Sequence, residues 1–88
     1  MKIYCIYDKK GELMNPPFTQ ANNAMAIRQF QMMINQPSTP ERSNIIHDYA
    51  SDFALYYLGE FDEKTCQFTA EWPVVLLSNA DELLTPAE

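Results

Sequence analysis

The chain has 88 residues, 47% of them hydrophobic, and a formal net charge of -6 from 12 acidic and 6 basic side chains. That length makes one domain, residues 1–88, able to bury roughly 60 to 65% of its unfolded surface; the hydrophobic content excludes a disordered chain, and the charge repels a phosphate backbone wherever the cations are not gathered. No apolar run reaches membrane-spanning length and Met1-Lys2 leads straight into a strand without a signal-peptide core, so the expected location is the cytoplasm, with no membrane partner.

Residues 2–7 read as a first strand with apolar side chains on both faces. The turn at 8–12 contains Gly11, which can take the positive φ that other residues resist. Pro16-Pro17 cannot donate ladder hydrogen bonds, so the segment to Phe18 is a connection or a sheet edge, with Phe18 tucked into the core. Asn22 or Thr19 caps a helix that runs to about Asn35 and is stopped by Pro37. Ala26, Ile27, Phe30, Met33 and Ile34 share one stripe of it. Met25 and Met32 share the opposite face, flanked by Arg28 and Gln29; they are either tolerated surface methionines or, with Gln29, a partner-binding patch.

Residues 36–51 hold Pro37, Ser38, Thr39 and Pro40, show no period, and predict a long loop. The stretch 53–68 is an aromatic and branched strand, a polar turn and a return strand, the pattern of a β-hairpin. Phe53, Leu55, Tyr57 and Phe61 project to one side and Ala54, Tyr56 and Leu58 to the other, so the first of these strands lies inside a sheet and is covered twice. Trp72-Pro73 opens a buried strand at 74–77, and 78–84 predicts a short helix with Asn79 capping and Glu82 reciprocating. The tail, 85–88, should fray. These elements predict an α+β fold: a small antiparallel sheet of about four strands, covered on one face by one long helix, with a short C-terminal helix.

Catalysis finds no constellation. His47 lies near Asp48 and Asp52, but no serine or cysteine carries the surroundings of an activated nucleophile. Glu60, Asp62 and Glu63 collect at the hairpin turn with no metal-loop spacing, and two glycines cannot build a phosphate loop. Cys5 and Cys66 are too distant for a CxxC motif and read as small strand-borne apolar residues, with a disulfide or a reactive thiol as the alternatives. No catalytic residue, metal or cofactor is therefore expected, and the chain reads as a binding protein without enzymatic activity.

For binding, Lys2, Lys9 and Lys10 bracket the first strand, whose Tyr4 and Tyr7 can join Tyr56 or Tyr57 on one sheet face. Aromatic platforms with a few cations hold single-stranded nucleic acid, at roughly 1–3 kcal/mol per stacked base. The competing reading packs these tyrosines under the helix or in a dimer interface. Two double-sided apolar strands under one helix leave a sheet face uncovered, which predicts a homo-oligomer.

The segment Asp52-Phe53-Ala54-Leu55-Tyr56-Tyr57-Leu58-Gly59-Glu60-Phe61-Asp62, with Thr65, Pro73 and Leu76-Leu77, resembles the small nonstructural protein of gokushovirus-type microviruses, single-stranded DNA bacteriophages. Tyr4 to Asp8, Pro17-Phe18 and Ala24-Met25-Ala26-Ile27-Arg28-Gln29-Phe30 also fit. Two positions depart: Cys66 stands where the family tends to have glycine, and Ala50 where relatives often carry proline. If the turn requires positive φ there, Cys66 carries strain of order 1 kcal/mol; the alternative is a loop of changed shape.

The resemblance implies a non-virion protein of the infected bacterial cytoplasm that supports single-stranded genome synthesis or packaging. It carries over Arg28 as a candidate contact, against a surface salt bridge of little consequence. Two mechanisms stand side by side. In one, the sheet tyrosines with Lys2, Lys9, Lys10, Arg28 and Arg42 touch single-stranded DNA. In the other, an acidic adaptor meets a basic phage or host replication or packaging protein, anchored by Met25 and Met32.

Overall fold

The computed structural model describes residues 1–85, and the tail expected to fray lies, except for Thr85, outside them. The described chain runs β1 (Lys2–Asp8), β2 (Leu13–Met14), β3 (Phe18–Gln20), α1 (Asn23–Ile34), α2 (Ile45–Asp48), a 3-10 turn (Ala50–Asp52), β4 (Phe53–Asp62), β5 (Gln67–Asn79) and α3 (Ala80–Leu83). One edge of β1 pairs antiparallel with β4, from Lys2↔Glu60 to Asp8↔Phe53. Its other edge is shared by β3 and β2, either side of Pro16-Pro17. β5 lies outside β4 and ends the sheet.

The expected sheet of about four strands covered by one long helix is overturned. The sheet has five strands, strand outweighs helix by 44% to 27%, and the helices are short. Length explains the difference: the 12 residues of α1 extend about 18 Å, whereas the 13 residues of β5 reach about 43 Å. One helix cannot roof such a hairpin. The cover over the core is assembled instead from α1, α2, the 3-10 turn and α3.

That core lies at the hairpin's base. Tyr4 and Ile6 of β1 and Phe53 and Leu55 of β4 meet Ala26, Phe30 and Ile34 of α1, with Ala50 and Ala80 closing the ends. Ile27 and Met33 pack partly against it, so the apolar stripe falls where its period places it. Asn22 caps α1 by accepting from the Met25 backbone N–H at 2.9 Å.

Residues 36–51 are not one structureless loop. Asn44 donates its side-chain amide to the carbonyls of Met33 and Gln36, 2.8 Å each, satisfying groups that the end of α1 leaves open. Ser38 bridges the Asn44 backbone and the Asp48 carboxylate. A helix of barely one turn, such as α2, produces no readable period. Asn79 also departs from its expected role, since its side chain makes no cap bond to α3. It accepts from Lys9 Nζ at 3.2 Å and donates to Glu82 at 3.1 Å instead.

The return strand and the last apolar run, expected as separate elements, form the single strand β5. Tyr57 pairs with Val75 and Gly59 with Ala70, so Leu58 alone faces residues 71–74. This bulge carries Trp72 and Pro73 out of the ladder. Two turns also differ from expectation or meet it sharply. In the 8–12 turn the positive φ falls on Glu12 (53°), not on Gly11; Gly11 instead lets the Asp8 carboxylate close in and accept its N–H at 2.9 Å. In the hairpin turn Cys66 does adopt φ 59°.

Cys66→Gly should therefore raise stability by about 1 kcal/mol, read as a higher urea midpoint at unchanged slope. Gly59→Ala should do the reverse by more than about 2 kcal/mol, because φ is 148° and the added Cβ would sit 2.2 Å from the Thr69 carbonyl oxygen.

Candidate binding surfaces

The proposed nucleic-acid residues do not converge. Lys2 opposes Glu60 in the ladder and lies 5.6 Å from the Tyr57 ring centroid. Lys9 and Lys10 follow the far end of β1, about 23 Å along the strand. Arg28 is on the outer side of α1, Arg42 in the segment after it, and Lys64 at the hairpin turn among Asp62 and Glu63.

The tyrosines divide between the two faces of the sheet. Tyr4 is 0% exposed, between Phe18 at 5.8 Å and Tyr57 at 5.7 Å, and its hydroxyl donates to Asn23 Oδ1 at 2.8 Å. A ring sealed there cannot stack on a base, so Tyr4 leaves the set of nucleic-acid contacts. Tyr56 is half-buried on the other face, edge-on to Tyr7.

Burial pushes the Tyr4 phenol above its ordinary 10.0, and the neighbouring Tyr57 and Glu60 add to the shift. Tyr57 is raised for the same first reason, then by Glu60 and Glu71. Cys5 is buried, with its thiol donating to the Asn15 carbonyl at 3.0 Å, and burial raises it above 9.0. Cys66 is exposed in the turn, not strand-borne, and both thiols are free.

The residues of the methionine patch do come together. Met25, Gln29 and Met32 border a groove of about 420 Å³ with Gln20, Arg28, Met33 and Gln36. Met25 is 43% and Met32 62% exposed. Gln20 donates to Gln29 and so fixes β3 against the helix. A second hollow of about 480 Å³ shares Met33 and Gln36 and continues to Arg42. Among the described residues neither lining contains a carboxylate, in a chain with 12 of them. Arg28 and Arg42 thus stand in the same neighbourhood, brought there because Asn44 folds the following segment back onto the end of α1.

Sequence reasoning missed the most exposed rings. Trp72 is 85% and Phe68 72% exposed, both on β5. Trp72-Pro73 was the available signal: proline cannot serve an inner ladder, and a bulge there turns the preceding side chain outward. Phe61, expected beside Phe53 and Leu55, is outside the core cluster and packs on Phe68 at 4.9 Å.

His47 sits in α2 with Nδ1 2.8 Å from the Ile34 carbonyl, a bond in which the ring must donate. Among the described residues no three His, Cys, Asp or Glu side chains gather as metal ligands, and no helix is long and apolar enough to cross a membrane.

The family model for the phage ORF5 protein matches residues 1–83. The chain belongs to the phage ORF5 protein family. Protein ORF5 of Chlamydia phage 1 is 31% identical over 93 residues, spanning 100% of this chain and 92% of that protein. Both findings agree with the resemblance to the gokushovirus-type microviruses and make this a small phage protein. No solved structure matches.

The buried phenols and thiol give this phage ORF5 protein an alkaline limit. Their folded pKa values exceed the unfolded ones, so their stabilisation is complete below about pH 9 and lost as pH rises through the folded values. Denaturation midpoints should be flat from about pH 7 to 8.5 and fall above about 9. Tyr4→Phe should weaken that fall and cost about 1 kcal/mol at neutral pH, because Asn23 loses its donor.

Proposed function

We propose that this phage ORF5 protein is a nonenzymatic accessory protein that supports single-stranded DNA genome synthesis or packaging. It acts in the infected bacterial cytoplasm by holding a segment of a phage or host replication or packaging protein. The observation that carries this reading is the groove along α1. Its methionines adapt to varied apolar side chains, and Gln20, Gln29 and Gln36 offer amides along its length. At about 420 Å³ it has the size of a specific site.

Charge refines the partner. The whole-chain balance of -6 suggests a basic one, but among the described residues the groove lining has Arg28 and no carboxylate, and the adjoining hollow adds Arg42, again without a carboxylate. The segment it suits is amphipathic, with apolar side chains for Met25 and Met32 and acidic or amide ones for Arg28 and Arg42. The role in genome synthesis or packaging comes from the microvirus resemblance.

Single-stranded DNA is the second reading, favoured by the same two arginines. Against it, neither lining holds an aromatic ring on which a base would stack.

Tagged protein recovered from infected cells should retain a phage or host replication or packaging protein. Met32→Asp should weaken that contact by about tenfold or more, with the fold intact because the side chain is exposed. Recovery that is the same for both proteins would remove the groove from the mechanism. Oligothymidine binding at low salt that is lost in Arg28→Ala with Arg42→Ala would replace the protein partner with DNA.

A further inference from the structure

The strand β3 has an open edge beside the α1 groove. Met1 exchanges both of its backbone hydrogen bonds with Phe61 of β4, whereas the Ile6 carbonyl accepts from Asn15 on the opposite side of β1. These directions alternate along an extended strand, so odd residues of β1 bond toward β4 and even ones toward β3 and β2. Lys2 and Tyr4 therefore bond Gln20 and Phe18, while Thr19, opposite Ile3, turns its N–H and carbonyl away from the sheet. Among the described residues β3 pairs with β1 alone, and Thr19 is exposed. Phe18 packs against the core and Gln20 donates to Gln29, so the side chains on either side of Thr19 rise toward α1. Gln20 is then the sheet-side wall of the groove that Met25, Arg28, Gln29 and Met32 border from the helix.

We infer that the partner's segment binds as an added strand on this edge, an extended peptide with an apolar and an acidic side chain two residues apart. The inference rests on the groove being a protein site. The central residue of the peptide exchanges both backbone bonds with Thr19, and its two neighbours project about 7 Å apart into the groove. One meets Met25 and Met32, the other Arg28. Charge selects the second: with an arginine and, among the described residues, no carboxylate in the lining, an acidic side chain is attracted and a basic one repelled. A helical segment would keep its backbone bonds to itself and leave the Thr19 groups in water. Pro17 offers no N–H, so the edge is short and recognition falls to the two side chains that enter the groove.

The probe is the pentapeptide acetyl-Thr-Leu-Thr-Glu-Thr-amide, titrated into the whole chain and followed by nuclear magnetic resonance. The Thr19 amide should shift saturably and exchange with solvent at least about tenfold more slowly in the complex. Methylating the central amide nitrogen of the peptide, or replacing its glutamate by lysine, should weaken binding about tenfold or more. Thr19→Pro should do the same, since proline is tolerated where an edge N–H faces outward, and Thr19→Val, which keeps the N–H, should change binding less than about twofold. A Thr19 amide unmoved at millimolar peptide overturns the inference. So does an N-methylated peptide that binds as well as the parent, a comparison made on the unsubstituted chain. Self-association through Thr19, seen by light scattering and lost in Thr19→Pro, would give the edge to a second copy and overturn it as well. A partner from infected cells that is lost in Met32→Asp but held by Thr19→Pro leaves the groove standing and removes the added strand. Retention in Met32→Asp, with Thr19 still protected by the peptide, removes the groove as the partner's site and leaves the edge.

Discussion

The mismatch in length between a three-turn helix and a hairpin more than twice as long governs this structure. Where α1 lies over the sheet, Tyr4, Ile6, Phe53 and Leu55 close on Phe30 and Ile34 in one buried cluster. Beyond its end the β4–β5 ladder continues with nothing above it, and the molecule stretches to 46 Å against 24 and 23 Å across. Phe68 and Trp72 lie on that part of the hairpin and are 72% and 85% exposed. Stability is concentrated at the base, and exposed apolar surface follows from geometry at the other end.

Much of this was legible in the residues. The stripe from Ala26 to Ile34, the Asn22 cap and the hairpin turn follow from period and side-chain chemistry within a few residues of each other, and each stands where that chemistry puts it. Cys66 is the sharpest case, since the family's glycine preference implied a left-handed residue and the backbone supplies one. Illegible features depend on distant chain. The short helices over the core have no period of their own and are fixed by Asn44, Asn35 and Ser38 reaching across to other segments. The fusion of two expected strands into β5 depends on β4 being long enough to pair with both. Of the candidate binding residues, Met25, Gln29, Met32 and Arg28 share a helix face and could be grouped by spacing alone. Tyr4 could not be assigned, because a double-sided strand does not say which face the helix takes.

Two parts of the surface differ from the rest in composition. The helix side offers methionines, amides and two arginines in a lining free of carboxylates, on a chain whose acidic groups otherwise prevail. The arm exposes Trp72 and Phe68. His47 is engaged with a helix carbonyl and Cys5 is enclosed.

The strand order has a further consequence for how such a protein is made. β1 finds its main partner in β4, more than forty residues later in the chain, with Lys2 opposite Glu60. β4 in turn needs β5, which ends at Asn79. The interior cannot close until β5 and the start of α3 have been made, so the earlier elements wait on residues far along the chain. A polypeptide cut short before β5 would leave one edge of β4 unpaired and the core without Ala80.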